Sequence, residues 1–255
     1  MNNLVRYPIA ILTFSFFLML LSAHVGVFFR KKQRTLEEAE QQDRDVIMAA
    51  TLTLLGLIIG FTFSMAVSRY DQRKNYEEAE ANAIGTEYVR ADLLPATDAA
   101  RVRALLNDYL DQRILFYQAG NERTLQQINA RTAQLQTELW STVRSPAAAQ
   151  QTPIFALVVS GMNDVLNSQG YTQAAWWNRI PSAAWALMIA IAICCNLLVG
   201  YSAHHAKGGS IRMITLPLIL CIAFFLIADI DSPRRGIIHV VPQNLMSLAE
   251  SLHGE

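Results

Sequence analysis

The chain has 255 residues with 21 Lys and Arg against 21 Asp and Glu, a net charge of zero that argues against a nucleic-acid binder relying on phosphate contacts. Apolar residues make up 52% and charged ones only 16%, below the about 25% charged of an ordinary soluble domain, so the composition points to a membrane protein. Cys194, Cys195 and Cys221 all lie inside apolar runs; they do not form a secreted-type disulfide framework, and packing is their expected role over metal or redox chemistry.

Residues 8–29, PIAILTFSFFLMLLSAHVGVFF, read as a first membrane span. A signal peptide is the alternative, but the apolar run continues past Ser22 and Ala23 to Phe29 and then meets Arg30, Lys31 and Lys32, which act as a stop. His24 lies inside this span. An intramembrane ionisable group is a functional candidate by default, against the blander reading of a neutral histidine bonded to a neighbouring helix or sitting near the interface. Residues 30–45 are a polar connection of mixed charge, and its EEAE run at Glu37 returns at Glu77 without a fixed period, so it is read as chance.

The second span organises the chain. Val46 to Ser68 carry no charge over 23 residues, about 34 Å of helix, enough to cross a hydrocarbon core. Gly56, Gly60, Ser64 and Ser68 recur every fourth residue and form a small-residue stripe suited to close helix packing or to a narrow passage. Beside it runs a second period-four row, Thr53, Leu57 and Phe61. The spacing predicts that this helix lines a pore, with a packed bundle helix as the alternative. It continues into water as a helix through about Ala91, its face carried by Ala81, Ile84, Tyr88 and Ala91.

Residues 70–178 read as a helical aqueous domain. Leu94-Pro95 ends the long helix, and Thr97 caps the next one, which buries Val102, Leu105, Leu106, Tyr109 and Phe116. Gly120-Asn121 breaks that helix; the following one has a near-heptad seam of Leu125, Ile128, Thr132, Leu135 and Leu139. Ser145-Pro146 and the Ala-Gln run are read as a linker. Pro153 opens a helix with Phe155, Val158, Met162 and Val165 inside and Gly170 as its end. The carboxylates of this domain are expected on solvated faces.

Trp176, Trp177 and Arg179 mark a membrane interface, followed by a third span over about Ile180 to Ser202. Asn196 inside it is expected to bond a neighbouring helix, an ion-path role being the lesser reading. His204 and His205 in the next link face apart and make a poor metal site. The fourth span runs over about Ile211 to Ile230, kinked at Pro217, with Arg212 snorkelling at its start and Asp229 and Asp231 at its end. A turn, an extended piece and a short amphipathic helix from about Gln243 complete the chain. The expectation is an all-α polytopic membrane protein: transmembrane helices 1 and 2 in 1–69, the helical aqueous domain in 70–178, helices 3 and 4 in 179–231, and a tail in 232–255. No P-loop, dinucleotide-binding glycine pattern, HExxH or GxSxG occurs in the sequence, so no enzyme, cofactor or metal is expected. Lys and Arg near the span ends number seven on either side, and the cluster from Arg30 to Arg34 favours an outside N-terminus.

The run LGLIIGFTFSMAVSRYDQ, Leu55 to Gln72, resembles the second-span motif of bestrophins: a Gly-Phe step at Gly60-Phe61, then small residues, then Arg69-Tyr70 with Asp71 in the polar segment. The tail from Asp229, DIDSPRRGIIHVVPQNLMSLAESL, resembles the bestrophin segment after the last span, with Asp229, Asp231 and the proline turn at Pro233. The whole chain is similar to the bacterial bestrophin-like membrane proteins. That resemblance implies a pentameric ion channel whose second-span helices form a hydrophobic neck, here Thr53, Leu57 and Phe61, with the lipid bilayer, further copies of the chain and inorganic ions as partners. It also implies a bacterial inner membrane with both termini and the helical domain cytoplasmic, against the charge cluster. Thr53 departs from an apolar neck. The family's calcium clasp needs an acidic run where only Asp229 and Asp231 stand, followed by Arg234 and Arg235, so no calcium activation is expected. A membrane sensor or scaffold whose helical domain binds a partner is the competing function.

Overall fold

The computed structural model describes residues 8–32, 38–149, 152–202, 209–234 and 236–253. Among them are eight α-helices and no strand: α1 (Pro8–Lys32), α2 (Glu38–Arg90), a 3₁₀ turn (Ala91–Leu93), α3 (Ala96–Gln118), α4 (Glu122–Ala149), α5 (Pro153–Trp177), α6 (Ser182–Ser202), α7 (Gly209–Asp231) and α8 (Gln243–His253). Among the described residues four helical stretches are long and apolar enough to cross a membrane: Ile9–Arg30, one within Gln42–Leu93, one within Pro153–Ser202, and Met213–Asp231. The chain divides into two compact units, Met1–Arg69 with Arg179–His239, and Tyr70–Asn178 with Val240–Glu255.

In the first unit, α1 packs against α6 and α7. Small residues set the approach of α1 to α6. A side chain at Gly26 would collide with the Leu197 carbonyl, and one at Gly200 with the Ala23 carbonyl, so each helix presses its backbone into the other's glycine. Ser22 donates to the Ile193 carbonyl at 2.7 Å across the same crossing. Met19, Ala23, Met188, Ala192, Cys195 and Phe224 fill the interior. Cys221 is buried and accepts a hydrogen bond from Ser15 at 3.3 Å, and all three cysteines are free.

The second unit is a helical bundle. The faces expected on α3, α4 and α5 are all buried or pack on the core, as are Ala81, Ile84 and Tyr88 of α2 and Ala91 of the 3₁₀ turn. Several boundaries differ from expectation. α3 starts at Ala96 with Pro95 as its cap residue, so Thr97 is not the cap: the proline fixes the entry φ and its carbonyl takes the Ala99 N–H at 2.9 Å. α4 runs through Ser145-Pro146 to Ala149, the alanines sustaining the helix beyond the one N–H that proline removes; Gln150 and Gln151 lie outside the described residues. α5 passes Gly170 and ends at Trp177, because Thr172, Ala175 and Trp176 beyond the glycine keep one face buried. The charged connection is already helical from Glu38.

The expectation of solvated carboxylates holds for most of them, such as exposed Asp71, Glu78, Asp108 and Asp164, and fails at three positions on α2. Glu77, Glu80 and Glu87 are buried, as are Arg73 and Arg113. Glu80 accepts bonds from Arg113 on α3 and from Thr172 on α5, the latter at 3.1 Å. Glu77 accepts the Leu245 N–H at 2.9 Å and the Asn244 amide at 2.6 Å, fixing the start of α8. Arg73 donates to the Ala175 and Asn178 carbonyls at 3.3 Å, a cation on the C-terminal end of α5. Burial, with the Glu80 charge adding to it, raises the pKa values of the Tyr109 and Tyr117 phenols, which stay neutral beside this network.

Two stability effects follow. Gly200→Leu drives a side chain into the α1 backbone and should lower the melting temperature of the detergent-solubilised protein by an amount matching about 3 kcal/mol or more, with the same substitution at exposed Gly120 as a mild control. Arg113→Met strands the Glu80 carboxylate and should cost about 3–5 kcal/mol in denaturant unfolding; a loss below about 0.5 kcal/mol would show that the pair is not buried in solution.

Candidate pore-lining helix and the junction at its end

The span of α2 buries one narrow seam. Leu55, Thr62 and Ala66 are buried, spaced by seven and four, and at 100° per residue they fall on one line of the helix. The row Thr53, Leu57 and Phe61 and the stripe Gly56, Gly60 and Ser64 lie on the other side, all exposed. Leu57 is 55% exposed and Phe61 71%. A side chain added at Gly56 or Gly60 would meet nothing within 4 Å, so among the described residues nothing packs against either glycine. Only 11% of this helix's most apolar window is buried, against 28% for α1 and 44% for α7.

The exposed residues also differ in kind. α1 bares Ile9, Phe14, Phe17, Leu21 and Phe28, and α7 bares Ile214, Leu218, Ile219 and Ile222. Those are bulky apolar surfaces suited to lipid. The exposed surface of the α2 span mixes Leu54, Leu57, Phe61, Phe63 and Met65 with glycine, serine and threonine. Thr53 gives its hydroxyl proton to the Ala49 carbonyl at 2.9 Å, so its polar group is satisfied within its own helix.

Where the apolar run of α2 ends, buried charges hold the unit together. Arg69 lies 3.6 Å from Asp231, the last residue of α7. Both Asp231 carboxylate oxygens accept the Ile180 N–H just before α6, at 3.2 and 3.3 Å. A carboxylate at a helix C-terminus is unfavourable by itself, and the arginine and the amide offset it. Asp229 uses both oxygens on the following turn, accepting the Ile237 and Ile238 N–H groups at 2.8 Å each. Pro233 is buried in that turn, and Gly236 crosses so close to the Asp229 carbonyl that no side chain fits there. Thus Arg69 and Asp231 come together, and Asp229 and Pro233 share the adjoining turn. Tyr70 packs on the bundle core of the second unit, and Asp71 is exposed.

Two intramembrane polar groups depart from expectation. His24 is exposed and bonds the Leu20 carbonyl of its own helix at 2.8 Å. Buried Asn196 donates to Ala192 of its own helix at 2.8 Å rather than to a neighbour. Both choose the carbonyl one turn back, the nearest acceptor in an apolar setting. His204 and His205 and the Arg212 side chain lie outside the described residues. Sequence reasoning missed Gly26 and Gly200, which carry no repeat to mark them, and the buried charges of α2, whose 3–4 spacing was the available signal.

A family model for the Bestrophin-like domain matches residues 15–245. No curated protein sequence matches the chain. Among solved structures, a single-residue mutant of a bacterial bestrophin homologue from Klebsiella pneumoniae aligns with a TM-score of 0.69 at 12% identity, covering 95% of this chain and 98% of that one. The same homologue phased on zinc gives 0.67 at 12% identity, with 93% and 98% covered. A structure described only as a membrane protein gives 0.69 at 12% identity, with 95% and 97% covered. At that identity the structures speak for the fold alone, and the family match, running from the first span into the last helix, speaks for descent: the chain belongs to the bestrophin-like family.

Proposed function

We propose that this protein is an oligomeric ion channel, a pentamer as the resemblance implies, in which copies of α2 surround a hydrophobic neck formed by Thr53, Leu57 and Phe61. The observation that carries this reading is the bare side of α2. A surface on which Thr53, Gly56, Gly60 and Ser64 interrupt the large apolar groups is poorly suited to lipid, and a buried seam of three residues, flanked by half-buried Leu52, Ile58 and Ile59, leaves the far side of the span free for other copies. Rings of Leu57 and Phe61 contributed by several chains close a passage by dewetting, and the small-residue stripe lets neighbouring α2 backbones approach. The bacterial inner membrane is the proposed location, with the helical unit and both termini cytoplasmic.

The junction supports the absence of calcium control. Every carboxylate oxygen of Asp229 and Asp231 already accepts a backbone N–H, and Arg69 faces Asp231. A cation would have to displace those bonds beside a guanidinium. Ion flux is therefore expected to be the same with calcium as with a chelator.

Flux from liposomes containing the purified protein tests the channel. Leu57→Ala and Phe61→Ala widen and wet the neck and should each raise flux by about tenfold, an amount matching about 1.4 kcal/mol off a dewetting barrier. Equal traces from wild type, both variants and empty liposomes would overturn the proposal and leave the sensor or scaffold reading. A single cysteine introduced at Gln126 and labelled only after cell lysis is expected of a cytoplasmic helical unit; labelling from outside intact cells reverses the orientation.

A further inference from the structure

Glu87 stands apart from the other buried charges of α2. Glu77, Glu80 and Arg73 are each hydrogen-bonded, whereas Glu87, 0% exposed, has no hydrogen-bond partner on either carboxylate oxygen. Its place is made by a glycine: a side chain at Gly161 on α5 would collide with the Glu87 Oε2 atom and with the Arg90 guanidinium. The carboxyl therefore sits in a notch of α5 that any other residue would fill. An ionised carboxylate left dry and unbonded is costly, and the group escapes that cost by taking up a proton.

We infer that Glu87 is a proton-binding site of the helical unit, holding a neutral carboxylic acid in the Gly161 notch at neutral pH and leaving the notch when the proton is lost. The charged groups that face it are few. From its own helix comes Arg90, one turn on, near enough to favour the charged form but making no ion pair with it; from α5 comes Asp164, whose charge opposes ionisation. The 3₁₀ turn packed beside α5 carries Asp92, which is held by Arg103. Burial is the dominant influence and pushes the Glu87 pKa up to about 8. Once ionised, the carboxylate gains by turning to Arg90 and water, and the α2–α5 contact at the notch opens.

The sign of the pH effect is fixed by linkage. A carboxyl whose folded pKa lies above its unfolded value adds stability that is complete below about pH 4.5 and is lost as pH rises through about 8. This runs against the usual behaviour of salt-bridged carboxylates, which stabilise as pH rises.

Thermal unfolding of the full-length protein in detergent, between about pH 6 and about pH 9.5, compares the wild type with Glu87→Gln and Gly161→Ala. The wild-type melting temperature is expected to fall by about 5 °C more than that of Glu87→Gln over this range, so that the amide variant becomes the more stable one at the alkaline end. Gly161→Ala, which pushes the carboxyl out of the notch, should move the wild-type transition to lower pH. Infrared absorption of the wild-type protein supplies a readout that does not depend on the variants folding. A protonated-carboxyl band present at neutral pH and lost near pH 8 supports the site. Absence of that band at neutral pH, or parallel stability profiles for wild type and Glu87→Gln, overturns it.

Discussion

A charge withdrawn from water must be matched, and α2 carries four such positions along one stripe: Arg73, Glu77, Glu80 and Glu87, with Ile84 and Ala91 completing the 3–4 spacing. The helices of the second unit are arranged by how those charges are answered. Arg73 closes the end of α5, Glu77 opens α8, and Glu80 ties α3 to α5 through Arg113 and Thr172. Desolvating each ion costs several kcal/mol, so these pairs are a poor source of net stability. Their effect is on specificity. Sliding any docked helix by one turn would strand a charge in the core, whereas an apolar seam of Leu and Val tolerates a slip far better. Glu87 follows the same rule by the remaining route, since a carboxyl that finds no donor remains uncharged.

In the first unit the same helix obeys a different constraint. Where lipid is the solvent, apolar side chains gain little by burying against one another, and close backbone approach with satisfied polar groups decides which helices pair. α1 and α6 meet those terms through Gly26, Gly200 and the Ser22 hydroxyl. α2 buries Leu55, Thr62 and Ala66 and adds the Arg69–Asp231 pair. A polar atom facing hydrocarbon is tolerable when bonded one turn back, as the Thr53 hydroxyl is. That tolerance explains why threonine and serine are permitted on the bare side, but it does not explain why they are grouped there with two glycines.

Sequence periodicity located what depends on apolar spacing. The four spans, the long α2, the α4 seam from Leu125 to Leu139 and the start of α8 at Gln243 all rest on hydrophobic length or on 3–4 repeats, and the helices lie where those signals put them. What escaped was carried by residues whose type misleads. Glu77, Glu80 and Glu87 have the spacing of a buried face and the chemistry of a surface one, and composition won the reading. The pairing of Glu80 with Arg113, separated by 33 residues, leaves no local trace. Gly170 and Pro146 look like helix ends, but tertiary burial on α5 and an alanine run on α4 outweigh propensities of about 1 and 3 kcal/mol. The family motif, by contrast, was legible because Arg69, Asp229, Asp231 and Pro233 sit at span ends, where charge against apolar background is conspicuous.

Glycine usage draws the two units together under one argument. A helical glycine costs about 1 kcal/mol relative to alanine, a cost that a close approach can offset. Gly26 and Gly200 admit a neighbouring backbone, and Gly161 admits a carboxyl. Gly56 and Gly60 sit in the same kind of helix, four residues apart, and admit nothing among the described residues. Lipid gives no reason for them, since an exposed alanine or leucine would serve the membrane better at lower conformational cost. Gly170 on α5 also meets nothing within 4 Å, so an open helical glycine alone marks no contact. The pair on α2 differs in its alignment with Ser64 and Ser68, and in the proposed channel that stripe is where another copy of α2 approaches.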